Sequence, residues 1–134
     1  MGIEPQRPSV SKAARWTGRI LSALVALFLL ADGVMKLVKP KFVVDATVQL
    51  GYHESVIIPL GIVLTVSTLL YLLPRTSVLG AILLTGYLGG AIATHVRASE
   101  PNWIVPAILG VIVWLGLFLR DPRLRELIPW RNFK

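Results

Sequence analysis

Four apolar runs, Ile20–Val38, Val56–Leu73, Val78–Val96 and Trp103–Leu119, occupy more than half of this 134-residue chain. Each is roughly 17–20 residues long. At about 1.5 Å per residue an α-helix of that length crosses about 30 Å of hydrocarbon. Backbone groups left unpaired in lipid are costly, so runs of this kind must be helices. Prolines mark the joints: Pro74 ends the second run, Pro101 precedes the fourth and Pro122 follows it. The connections PRTS and RASEPN are too short for anything but antiparallel neighbours. The pattern predicts an all-α, up-down-up-down four-helix membrane bundle forming a single domain over residues 1–134.

The distribution of charge gives the expected orientation. Charged residues make up 16% of the chain, against about a quarter in soluble domains. They cluster between the apolar runs. The two termini and the Arg75 turn carry ten of the 14 lysines and arginines, and the opposite side carries Lys36, Lys39, Lys41 and Arg97. By the positive-inside rule both termini are expected in the cytoplasm. The net charge of +7 is then a topology signal, which excludes a nucleic-acid partner. No A-x-A site follows the first run, so it is expected to stay as a span and not to be cleaved as a signal peptide. Residues 1–15 read as a disordered cytoplasmic tail and residues 120–134 as a basic one. Trp16, Trp103 and Trp130 sit where interfacial anchors belong, and Trp114 reads as packing.

Much chemistry is excluded by what is missing. There is no cysteine, so thiolate catalysis, disulfides and iron–sulfur ligation are out. With His53 and His95 the only histidines, no multi-histidine metal site can form within one chain. No catalytic residue and no intrinsic cofactor is expected. A redox role would require a partner or a diffusible carrier such as a quinone.

The longest connection, KPKFVVDATVQLGYHES, holds its own pattern. Lys41, Asp45 and Gln49 fall on one helical stripe, and Phe42, Val43, Ala46 and Leu50 cover the other side. With Pro40 suited to a first turn and Gly51 to a stop, a short helix over 40–50 is expected. It either lies at the outer interface and caps the bundle or packs as a plain loop helix.

ADGVMKL in the first span, LYLLPRTSVLGAILLTGYLGGAIATHVR across the second and third, and LFLRDPRLR after the fourth resemble the DoxX-like family. These are small bacterial integral membrane proteins with four helices. The resemblance covers nearly everything after about residue 15, and TGYLGGAIATHVR is its most specific piece. It implies the bacterial cytoplasmic (inner) membrane. The family's name comes from a membrane subunit linked to quinone reduction in thiosulfate oxidation, and members of the wider family have been placed beside oxidoreductases.

Three glycines within five residues of one helix, Gly86, Gly89 and Gly90, call for a physical reason, since each costs roughly 1 kcal/mol against alanine. Gly86 and Gly90 form a GxxxG pair, with Ala81, Thr85 and Gly89 in a second small row. Small rows let helices approach closely in lipid. Packing inside the bundle is favoured, with Ala23, Ala26, Gly33, Gly61 and Gly110 as matching partners, and a dimer seam is the alternative use.

Charge also enters the spans. Asp32 lies about 9 Å inside the outer end of its helix, with Lys36 one turn nearer water. If the first and third spans touch, Asp32, Lys36, His95, Arg97 and Glu54 converge at the outer leaflet, with Tyr87 deeper on the third span. A charge at the centre of a membrane helix costs about 2.5–3.5 kcal/mol. Asp32 and Lys36 either form a structural i,i+4 pair with Lys36 snorkelling outward, or these residues line a pocket for a headgroup, a quinone ring or a partner's loop.

Three functions follow. The favoured one is a non-catalytic accessory or scaffold subunit holding a membrane lipid or a membrane or periplasmic protein partner. The resemblance implies a second, a quinone-linked oxidoreductase subunit in which Asp32 and His95 exchange protons. The third, a transporter, would need an oligomer.

Overall fold

The computed structural model describes residues 11–127. It contains no strand among them and folds into four long helices with two short ones. Helix α1 runs Lys12–Val38, α2 Lys41–Gln49, α3 Ile57–Leu72, α4 Ser77–Arg97, α5 Ile104–Arg120 and α6 Pro122–Arg125. Single 3-10 turns at Glu54–Val56 and Pro101–Trp103 lead into α3 and α5. Counting those turns, four helices are long and apolar enough to cross a membrane, so the chain is a multi-pass membrane protein.

The helix ends follow local chemistry. The Ser11 hydroxyl accepts from the Ala14 N–H at 3.1 Å and starts α1. That start lies eight residues ahead of the apolar run, so residues 12–15 are helical where a tail was expected. Expectations for residues 1–10 and 128–134, including Trp130, lie outside the described residues. Lys39 ends α1 in the left-handed region at φ 58° and returns its N–H to the Met35 carbonyl. Between α3 and α4, the Thr76 hydroxyl donates to the Leu70 carbonyl and the Ser77 hydroxyl to that of Tyr71, which closes the turn.

Packing runs in a ring: α1 against α3 and α5, and α4 against the same two. Helices α1 and α4 therefore face each other across the bundle diagonal. Small residues do bring backbones together, but not along the row expected. At Gly18 an added Cβ would lie 2.7 Å from the Gly116 carbonyl oxygen, and at Gly61 it would lie 3.1 Å from that of Gly33. At Gly80 it would lie 2.2 Å from the Tyr71 nitrogen. Gly86, Gly89 and Gly90 meet nothing within 4 Å. Their expected role in packing within the chain is therefore corrected: α1 and the α3–α4 turn hold the tight contacts, because α4 turns its glycine row away from its neighbours.

The core joins Leu29 of α1, Leu64 and Tyr71 of α3, Leu84 of α4 and Leu117 of α5, each 1% exposed or less. Ile20, Leu24 and Leu27 on the far side of α1 are all more than half exposed, as suits a lipid-facing surface. Packing is densest near the α3–α4 turn. Toward the end that carries α2 the core opens.

Candidate functional site

The opening is a cavity of about 750 Å³ at the α2 end. It exists because α1 and α4 face each other there without packing. Asp32 and Lys36 line it from α1, Tyr87, Thr94 and His95 from α4, and Tyr52 from the segment after α2. Asn102, ahead of α5, and Thr47 of α2 also line it, and its other walls are apolar, with Phe28 and Leu29 from α1 and Val105, Pro106 and Leu109 from α5. Helix α2 lays Phe42, Val43, Ala46, Thr47 and Leu50 against the cavity, while Asp45 and Gln49 stay exposed. The amphipathic stripe thus makes α2 a cap on the bundle.

Most of the polar residues can be followed to a partner. The Lys36 ammonium donates to Asp32 Oδ1 at 2.7 Å, one helical turn back. It does not snorkel outward: its side chain is 15% exposed, against 41% for Asp32. The Lys36 stem lies against Gly61, where an added Cβ would meet Lys36 Cβ at 2.9 Å. Asp32 Oδ2 takes no part in this pair. His95 Nδ1 lies 2.7 Å from the Ala91 carbonyl. A carbonyl can only accept, so Nδ1 carries a proton and donates; on a neutral ring the lone pair is then at Nε2. The Thr94 hydroxyl donates to the Gly90 carbonyl at 2.8 Å. That fixes the Tyr52 hydroxyl as donor to Thr94 across the 2.7 Å between them.

Two expected members of the cluster are engaged elsewhere. The Arg97 guanidinium donates to the Leu50 carbonyl and so caps the end of α2. It packs over Gly51, whose φ of +95° suits glycine and where an added Cβ would lie 2.9 Å from Arg97 Nη2. Glu54 pairs with Lys39 at 3.4 Å in an exposed position worth little energy. The convergence is thus Asp32, Lys36, Tyr87 and His95 across a gap, with Arg97 and Glu54 outside the lining. Tyr87 stands apart within the set. Its hydroxyl has no hydrogen-bond partner among the described residues, and it is not a sealed, buried atom. Asp32 and Tyr52 are near enough to act on it electrostatically.

Sequence reasoning did not place Tyr52 in the site. Its contact with Thr94 spans 42 residues, and the one available signal was a tyrosine in the longest connection, just before a span.

A second concavity, about 670 Å³, lies along α4 and α5 and is apolar apart from Thr85 and Trp114. Those two satisfy each other, the Trp114 indole donating to the Thr85 hydroxyl at 2.6 Å. Gly89 borders it.

Among curated proteins and among solved structures, nothing matches the chain. The sequence model of the DoxX-like family matches residues 20–116, from the first apolar run into the last turns of α5. With the match covering most of the chain and all four spans, the protein belongs to the DoxX-like family.

Proposed function

We propose that this DoxX-like protein is a small, non-catalytic membrane subunit that takes an amphipathic molecule from the bilayer into the cavity beneath α2 and presents it to a protein partner. The observation that carries this reading is the cavity itself. About 750 Å³ of space falls within the range of about 300–1,000 Å³ typical of small-molecule sites. It combines apolar walls with a few convergent polar groups, the composition such sites use. The excess of basic residues beside the termini supports an arrangement with both termini cytoplasmic and the cavity at the outer leaflet of the inner membrane.

The test is extraction of gently purified protein followed by mass spectrometry of its lipids and quinones. Wild type is compared with Ala91→Phe, which fills the cavity wall without removing the carbonyl that holds His95. A molecule retained by wild type and lost from Ala91→Phe supports the reading; identical extracts refute it. Because the chain has no cysteine, single cysteines at Ala98 and Arg75 test orientation. Labelling from outside the cell is expected at position 98 and not at position 75.

A second reading, a quinone-linked oxidoreductase subunit, is favoured by Tyr87. Its unpartnered hydroxyl fits as a donor to a quinone carbonyl, with Asp32 and His95 on the same cavity as proton carriers. A bound quinone would supply two-electron redox chemistry, which these side chains lack. Ubiquinone or menaquinone as the retained molecule would favour it.

A further inference from the structure

The charges around the cavity restrict what can occupy it, provided the cavity is a binding site as proposed above. Every cation close to it is already committed. Lys36 is on Asp32, Lys39 on Glu54 and Arg97 on the Leu50 carbonyl. Lys41 is exposed on the polar stripe of α2 and is no part of the lining. Asp32 and Lys36 are the only carboxylate and ammonium lining the cavity among the described residues, and they pair with each other. Among the described residues no lining cation remains to neutralise an anionic head, and Asp32 would repel one. A cationic head would have to compete with Lys36 for a carboxylate held at 2.7 Å.

The unspent polar capacity is of both kinds. The Tyr87 hydroxyl is free to donate, Asp32 Oδ2 and, on a neutral ring, His95 Nε2 are free to accept, and the exposed Asn102 amide at the rim can do either. A head that only accepts, such as an ester or a ketone, leaves both acceptors unanswered. An alcohol answers both kinds with one oxygen. The walls around these groups, Phe28, Phe42 and Leu109 among them, are hydrocarbon and suit an alkyl or polyprenyl tail. We infer that the cavity binds an uncharged long-chain alcohol from the bilayer, its hydroxyl accepting from Tyr87 and donating to Asp32 or His95.

Three probes sharing one eighteen-carbon chain separate the alternatives: oleyl alcohol, methyl oleate and oleate. Binding to the full chain in a neutral detergent is read by native mass spectrometry, titrating each probe. The alcohol is expected to bind at least about tenfold more tightly than the ester or the anion, because hydrogen bonds to charged groups contribute more than neutral ones. Tyr87→Phe removes one oxygen that no protein group uses. It is expected to weaken the alcohol and the ester alike, up to about tenfold, since either head can accept from it, and to leave standing the preference for the alcohol, which rests on donation to Asp32 or His95. Equal binding of ester and alcohol, or tighter binding of oleate, overturns the inference about the head while leaving the cavity a binding site. Failure of all three to bind wild type, with Ala91→Phe indistinguishable from it, removes the binding site and the inference together.

Discussion

The two ends of the bundle handle polar groups in opposite ways. Near the α3–α4 turn, Tyr71 is fully buried, donates to the Val113 carbonyl at 2.8 Å and sits 2.9 Å from the Ser22 hydroxyl. Arg120 stacks over its ring, 5.1 Å from the centroid, and reaches the Tyr71 carbonyl and the Ser77 hydroxyl. One tyrosine and one arginine thereby tie all four long helices together, with only the Arg120 Nε left buried without a partner. At the α2 end a second tyrosine, Tyr87, lines a cavity with its hydroxyl unused. Polar groups that satisfy one another build structure, whereas those left free beside empty space are available to something else. The same residue type thus takes two roles, and packing decides which.

The contrast can be broken most forcefully by the glycines. Gly80→Ala would put a methyl 2.2 Å from the Tyr71 nitrogen, in backbone that cannot yield like a side chain. Overpacking of this kind costs about 3 kcal/mol or more, read as lost folded yield and a lower melting temperature in detergent. Next in size is Lys36→Met, which strands Asp32 in the membrane and is expected to cost about 2–3 kcal/mol. Adding Asp32→Asn should recover most of that loss. If the double variant is no more stable than Lys36→Met, the pair does not hold the charge in place. The tyrosines sharpen the comparison directly. Tyr71→Phe removes the hydroxyl that joins the Val113 carbonyl and Ser22 across the bundle and should cost about 0.5–1.5 kcal/mol. Tyr87→Phe should not shift the melting temperature; equal losses at both positions would erase the distinction between the ends. The smallest effect is a gain. Thr65 Oγ1 is buried without a partner against Gly33, so Thr65→Val should stabilise by up to about 1 kcal/mol.

The fold was legible because length and hydropathy carry so much in lipid. The ends of the four helices fall within about two residues of the apolar runs except at the start of α1, where a polar segment capped by Ser11 extends the helix. The site was half legible. Asp32 and Lys36 share a helix, so their spacing already implies their bond. The neighbours of α1 were not readable, since apolar helices of similar length admit several ring orders. The first and third spans, whose contact was the condition for the cluster to converge, lie on the diagonal, and the gap between them is the cavity. The glycine row misled for a related reason. A small-residue face looks the same in sequence whether it meets a helix or lipid, and the rows that do close, Gly18 with Gly116 and Gly33 with Gly61, are spread over separate spans.

Those two glycine contacts have a reach beyond their own neighbourhoods. They set how near α1 stands to α5 and α3, and α1 forms one wall of the cavity. The width of the chamber is therefore gauged by positions that never touch its contents. Exchanging one small residue for another at Gly18, Gly33 or Gly116 would change the width of the chamber without replacing any side chain that lines it.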